Sequence, residues 1–293
     1  MAHRTSPVVL LRRFLLNVIL RLSAIALVAC LAMILVRYAP GFETDDRDLD
    51  PALGAATRNA IHQQRLAEGS LTEYARKLAS GILHGDLGVS VALGTPIRDL
   101  IAQRGPATLR ILLTGIALAW IGGLAWSLGL AICRVPSLAG LSVLASAFLL
   151  CLPTAAVAAL MLNVDWPAQM VLALVLLPKV FQVTRGLITQ AFEHAEVLAG
   201  RARGLRTTRL LGFYVLPRIA GPMLAWLAAT VGLAVGAVVP IEVICDVPGL
   251  GQLAWKAALA RDLPVLVVLT LLVATLIQFS SSASLLYQRG PRS

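Results

Sequence analysis

Apolar runs of about twenty residues alternate with polar breaks along most of this chain. Six stand out, at residues 14–36, 108–133, 138–162, 168–190, 222–244 and 264–287. About twenty residues of helix cover the roughly 30 Å hydrocarbon core of a bilayer, so each run predicts a transmembrane helix. The first, third and fifth runs are the cleanest. The fourth is the weakest, because Lys179 and Arg185 stand in its second half. Glycine and proline recur inside the runs, at Gly122, Gly123, Pro153, Pro178, Gly232, Gly236 and Pro240. Neighbouring helices can satisfy the backbone groups these residues free, and small residues allow close helix contact. The expected fold is all-α and integral to a membrane, with six transmembrane helices.

Composition agrees. Hydrophobic residues make up 58% of the 293 positions and charged residues 14%, with mean hydropathy +0.82. A soluble domain carries about 45–50% apolar and about 25% charged residues, so this chain lacks the polar cover such a domain needs. Disorder, collagen, coiled coil and a secreted disulfide scaffold are excluded as well. Cys30, Cys133, Cys151 and Cys245 are far apart and form no C-x-x-C pair. They read as small apolar residues rather than metal ligands or disulfides.

The net charge of +10 first suggests nucleic acid. The positions of the arginines argue against that partner, because they gather at the ends of alternate apolar runs. Arg4, Arg12 and Arg13 precede the first run; Arg201, Arg203, Arg206, Arg209 and Arg218 follow the fourth; Arg289 and Arg292 end the chain. The intervening breaks are poor in basic residues: 163–167 has none, and 245–263 has only Lys256 and Arg261. Cytoplasmic loops carry the excess of Lys and Arg, so both termini are expected in the cytoplasm. A basic start before an apolar run can also be a cleaved signal, and Leu27-Val28-Ala29-Cys30 resembles a lipoprotein cleavage box. The run continues to Val36, however, and its removal would leave five spans with the tails on opposite sides. Arg21 lies near enough to the cytoplasmic end of the run to snorkel as an anchor.

The domain organisation follows. Residues 1–36 hold the cytoplasmic tail and first helix, 37–107 an extracytoplasmic segment, and 108–293 a five-helix core. The outer segment opens on Glu43, Asp45, Asp46, Asp48 and Asp50, then shows helical stretches at 51–67 and 71–83, the second with Ser70 as cap and Glu73 three residues on. A turn-rich hexapeptide, Gly85-Asp86-Leu87-Gly88-Val89-Ser90, follows. In the 247–263 loop, Leu253, Ala254, Ala257 and Ala258 recur at helical spacing after the Pro248-Gly249-Leu250-Gly251 turn, and Trp255 suits the headgroup level. That pattern predicts a short helix flat on the membrane surface. The inner loop, 192–217, holds a short helix rich in alanine and glycine that should end at Gly204. Positive-inside anchoring explains its arginines but not the small residues. A docking element for a soluble partner explains both.

Here the spacing becomes specific. Leu198-Ala199-Gly200, three residues, Gly204, nine residues and then Tyr214-Val215-Leu216-Pro217 resemble the coupling-loop signature of ABC importer permeases, with leucine at the family's glutamate position. Gly85-Asp86-Leu87-Gly88-Val89-Ser90 resembles the G-D-L-G-x-S segment of the dipeptide, oligopeptide and nickel branch, and Pro106-Ala107-Thr108-Leu109 the start of its second span. Glu242 with Pro248-Gly249-Leu250-Gly251, then Arg261-Asp262-Leu263-Pro264-Val265, resembles the branch's outer segment before the last span, and Leu285-Leu286-Tyr287 its ending. Ser284 stands where aspartate is common, Gly290-Pro291-Arg292 replaces an aspartate-proline-arginine end, and the loop between the third and fourth runs is short. These departures bear on the solute more than on the architecture.

The resemblance implies a permease subunit of an ATP-driven importer in the bacterial inner membrane, carrying peptides or similar small solutes. Its coupling loop would use Glu196, Leu198, Ala199, Gly200, Arg203, Gly204, Leu205 and Pro217. Glu242, Pro248, Gly249, Gly251 and Asp262 are candidates for an outer gate or pathway, with an interface role for Glu242 as the alternative. ABC ATPase subunits, a second permease subunit, similar or identical, and an extracytoplasmic solute-binding protein are the implied partners besides the bilayer. No cofactor is expected on this chain: a phosphate-binding loop needs Gly-Lys-Ser/Thr, and the three lysines follow Arg76, Pro178 and Trp255. ATP and Mg would be used by the partner. Two other classes compete. An intramembrane enzyme needs paired catalytic groups at one depth, yet Lys179, Arg185 and Glu242 are scattered, and His3, His62, His84 and His194 lie outside the runs. A secondary transporter working alone would use relays of Asp, Glu or His, which the runs nearly lack.

Overall fold

The computed structural model describes residues 84–133 and 135–288, together with scattered positions at 19–34 and at 76, 80 and 81. Helix is the only extended secondary structure among them. In chain order the elements are α1 (Ile97–Cys133), α2 (Pro136–Cys151), α3 (Thr154–Leu162), α4 (Ala168–Phe192), α5 (Ala195–Ala202), α6 (Thr207–Leu210), a widened π turn (Leu211–Val215), α7 (Leu216–Ile244), α8 (Leu250–Leu259) and α9 (Leu263–Gln288). The first apolar run falls on the scattered positions, which are helical. The acidic patch, the helical stretch at 51–67, the stretch at 71–83 apart from residues 76, 80 and 81, the tail arginines and the 290–292 ending lie outside the described residues.

Four helices are long and apolar enough to cross a bilayer: α1, α4, the continuous stretch Thr207–Ile244, and α9 over Leu263–Ser280. The run at 138–162 departs from the expected straight crossing. It is α2 and α3, bent by 93° at their junction. Leu152 precedes proline and takes an extended conformation (φ −75°, ψ 125°), and Pro153 is extended too (φ −61°, ψ 138°), so two successive residues leave the helix. At 16 and 9 residues neither half spans a bilayer alone. The described residues therefore give four crossings, or five with the bent pair counted as one.

The second and fifth helices begin earlier than their apolar runs. α1 starts at Ile97 rather than 108; its 37 residues extend about 55 Å, well beyond a hydrocarbon core. The fifth begins at Thr207 rather than 222. Hydropathy marks the part of a helix that faces lipid, not where hydrogen bonding begins. The helix with the weakest run is also the most enclosed. α4 buries half of its apolar window, against 17% for α1.

The chain forms two compact units, Met1–Gln103 with Lys256–Thr275, and Arg104–Trp255 with Leu276–Ser293. The core of the second is α4. Val171, Leu172, Leu176, Val180 and Phe181 on α4 are fully buried. α1 approaches them through glycine: a Cβ on Gly115 would lie 2.8 Å from Leu172, on Gly122 2.9 Å from Leu177, and on Gly123 2.9 Å from Val180. Close approach of this kind is how small residues hold membrane helices together. Trp126 stacks on Phe181 with centroids 4.2 Å apart, and its indole N–H donates to Ser142 on α2. α7 packs along α4 and α3, and Ser280 on α9 donates to the Ala228 carbonyl of α7. In the first unit the described part is a tight loop at 84–96, closed by an antiparallel bridge between Val89 and Pro96, and the start of α9.

Candidate functional site

The 192–217 loop is built on α5. Its end is a Schellman cap: the Gly204 amide donates to Arg201 and the Leu205 amide to Gly200, with Gly204 at φ 80°. Any residue with a Cβ is strained there. Val197 and Gly200 face inward, and Val197 joins Ile188, Ala191, Leu210, Leu211, Val215 and Ile219 in one buried apolar cluster. A Cβ on Gly200 would lie 2.8 Å from Leu210 and 3.3 Å from Leu205, so the helix sits as close as a glycine allows. The opposite face is open. Glu196, Leu198, Ala199 and Arg203 are exposed, and Leu198 is 50% exposed despite being apolar. Glu196 pairs with Arg218 at 3.3 Å, both ends in solvent. Pro217 is the second residue of α7. The π turn ends just before it, with the Leu216 amide reaching back five residues to Leu211. A widened turn there accommodates the proline, whose ring would press on the preceding turn and whose nitrogen donates no bond.

Toward the other end of the 29-residue α7, about 38 Å along the helix from Pro217, Glu242 is completely buried. Its Oε1 accepts from the Thr108 hydroxyl at 2.6 Å, and its Oε2 accepts from the amides of Gly251 (2.7 Å) and Gln252 (3.1 Å). Thr108 in turn accepts from the Leu250 amide at 2.7 Å. Those three amides are the free donors of the first turn of α8, and the next, on Leu253, bonds to Gly249. Glu242 and Thr108 thus cap α8 from two other helices. The carboxylate also meets the positive end of the helix dipole. The glycines follow from this geometry: a Cβ on Gly249 would stand 2.2 Å from the Glu242 carboxylate, and one on Gly251 2.8 Å from the Val239 backbone. Pro248 is exposed and leads the turn. Leu253 and Ala257 are buried as the helical spacing predicts, whereas Ala258 is exposed. Burial raises the pKa of the neighbouring Cys245 thiol above its ordinary value.

A second clamp lies in the other unit. Asp262 is 2% exposed and begins α9, where its Oδ1 accepts from the Val265 amide at 3.4 Å, the N-cap geometry. Its Oδ2 accepts from the Ser90 hydroxyl (2.5 Å) and the Ala92 amide (3.1 Å). Ser90 also accepts from the Leu93 amide at 3.0 Å, and Asp86 accepts from Gly88 at 2.9 Å, so the hexapeptide folds on its own polar side chains. Gly85, Gly88 and Gly94 all have positive φ.

Two pairs of motifs remote in sequence are therefore single constructions. The stretch around Thr108 closes on Glu242 and the Pro-Gly-Leu-Gly turn, and the hexapeptide closes on Arg261-Asp262-Leu263-Pro264. The sequence places Ser90 and Thr108 in motifs of their own but does not pair them with Asp262 and Glu242, and it does not single out Gln252; these three complete the two clamps. The available signal was a hydroxyl at the polar edge of an apolar run, where an unpaired donor is costly. Arg218, the partner of Glu196, was counted only as an anchoring charge.

The chain matches the family model described as "Binding-protein-dependent transport system inner membrane component" over residues 123–290, more than half its length. It is similar to the oligopeptide transport system permease protein OppB of Escherichia coli, 29% identical over 269 residues that cover 84% of this chain and 86% of the relative. It is also similar to AppB of Bacillus subtilis, named likewise, at 24% over 300 residues and 92% of each chain. A putative peptide transport system permease protein of Brucella abortus is 26% identical over 275 residues, 82% of this chain and 84% of that one. The protein belongs to the family of binding-protein-dependent transport system inner membrane components.

Proposed function

We propose that this chain is the membrane-spanning permease subunit of an ATP-driven importer for peptides or similar small solutes, and that α5 is where a separate ATPase grips it. One observation carries the reading. α5 is fixed to the bundle by Val197, Gly200 and its glycine cap, yet Glu196, Leu198 and Ala199 are exposed, and among the described residues Leu198 and Ala199 have no element packed over them. An apolar helix face held out in this way has the form of a ridge made for a partner's cleft. Family membership and the names of the relatives supply the class of solute and the kind of partner.

The mechanism follows from rigidity. The cluster of Val197, Leu210, Leu211, Val215 and Ile219 ties α5 to the end of α4 and to the start of α7. A displacement of α5 by closing ATPases moves those helices as packed bodies, because cores of this density shift between arrangements rather than bend. A second permease subunit supplies the other wall of the pathway, and a solute-binding protein delivers the solute on the side opposite α5. In this reading the chain crosses the bacterial inner membrane six times. The first run and the bent α2–α3 pair each count as one crossing, both termini are cytoplasmic, and ATP and Mg stay with the ATPase. One clamp fixes the start of α8 on Glu242 and Thr108, and the other fixes the 86–93 loop on Asp262.

The test is transport in sealed vesicles. Uptake of labelled peptide should require ATPase subunits, ATP on their side and the binding protein. Uptake by this chain alone without ATP would overturn the proposal in favour of a secondary transporter.

A further inference from the structure

A cavity of about 350 Å3 opens beside α5, between the end of α1, the start of α2 and the last turns of α4. Its walls are apolar, with Leu130, Ala139, Ile188 and Phe192 among them, and two guanidinium groups, Arg185 and Arg201, line it. Neither arginine has a carboxylate partner among the described residues. The other polar side chains in the wall are committed: Ser127 donates to the carbonyls of Gly123 and Phe181, and Thr189 donates to the carbonyl of Arg185. Two like charges sharing one cavity without a counter-ion repel each other, most strongly where water is thin. An anion between them would remove that cost.

The chemistry and the depth choose the anion. Arg185 lies seven residues, about 10 Å, inside the end of α4, and Arg201 is on α5 just beyond that end. The cavity thus reaches from the helix ends to an apolar depth within the bundle. A phosphate suits paired guanidinium groups, which bind its oxygens in forked fashion. The apolar walls suit an acyl chain. We propose that this cavity seats the headgroup end of one anionic phospholipid, its phosphate between Arg185 and Arg201 and the start of one chain along Leu130 and Ala139, with the rest of the lipid outside the open mouth. Basic pockets between transmembrane helices on the cytoplasmic side are a known form of headgroup site. Because Arg201 is on α5, the lipid also braces the helix that the proposed ATPase would grip. The assignment of leaflet rests on that functional reading; the binding does not.

The experiment is lipid retention by the full-length chain in detergent, measured by native mass spectrometry. Phosphatidylglycerol and phosphatidylcholine of identical acyl chains are added separately, with and without excess inorganic phosphate. Phosphatidylglycerol should be retained about tenfold or more over phosphatidylcholine, since each arginine contributes about 1 kcal/mol toward an anionic lipid. Arg185→Gln with Arg201→Gln should abolish that preference, and Arg185→Lys with Arg201→Lys should keep most of it. If the double glutamine variant does not fold, exposed Arg201→Gln alone should lower the preference. Equal retention of the two lipids by the parent, or an unchanged preference in the glutamine variants, overturns the proposal. Displacement of phosphatidylglycerol by inorganic phosphate overturns the lipid in favour of a free anion site. Since no ATPase is present, failure here leaves the coupling role of α5 standing, and failure of coupling leaves this result standing.

Discussion

The two ends of α7 are held by opposite means. At its start, α5 is attached by an apolar cluster and a glycine cap, with a single solvent-exposed ion pair between Glu196 and Arg218. At its far end, α8 hangs on a buried carboxylate with every oxygen engaged. Apolar contact is non-directional, so it lets a helix shift with its neighbours and leaves the outer face free to vary. Buried hydrogen bonds to a charge are directional and leave unsatisfied groups when any member is lost. Under the proposed coupling role, the α5 end is the one to be moved and the α8 end the one to stay closed on itself.

Breaking the far end should be the most damaging. Glu242→Leu strands the Thr108 hydroxyl and two helix amides in a buried site, and should destabilise the chain by about 3 kcal/mol or more, read as a lowered unfolding temperature in detergent. Gly249→Ala drives a methyl into the same carboxylate and should cost about 2 kcal/mol. Combined with Glu242→Asp, whose shorter side chain withdraws, it should cost less than the sum of the two changes. Asp262→Ala removes a helix cap and the partner of Ser90, for a loss of about 2 kcal/mol. Ser90→Ala should cost less in that background than in the parent, because the bond the two side chains share is already gone and only the acceptor for the Leu93 amide is newly lost. At the inner end, Arg218→Gln breaks only an exposed pair and should change stability by less than about 1 kcal/mol. A loss at Arg218 as large as that at Glu242 would erase the distinction between the ends.

How much of this the sequence reveals depends on how local each feature is. The cap at Gly204 is legible, because glycine after an alanine-rich stretch points to a left-handed turn whatever surrounds it. The helix of the 247–263 loop is legible from the spacing of Leu253 and Ala257. The bend at Pro153 is not, since proline in an apolar run is compatible with a kinked crossing and with a broken one; two extended residues in succession decide it. Polar residues mislead in α4. Lys179 and Arg185 weaken its hydropathy although the helix is the centre of the bundle, because each is half-buried and lines a recess between packed helices. Glu242 is visible as a charge in an apolar run, but its partner Thr108 lies 134 residues away, and only the fold brings them together.

The most direct test of the coupling role is one substitution on the open face of α5. Gly200 is unsuitable, because any side chain there strikes Leu210 and disturbs the packing itself. Ala199 is exposed, so Ala199→Glu should leave the unfolding temperature unchanged. Purified through this chain, the variant should come without the ATPase subunits that accompany the parent. An Ala199→Glu chain that unfolds as the parent does and still brings its full complement of ATPase would contradict the account.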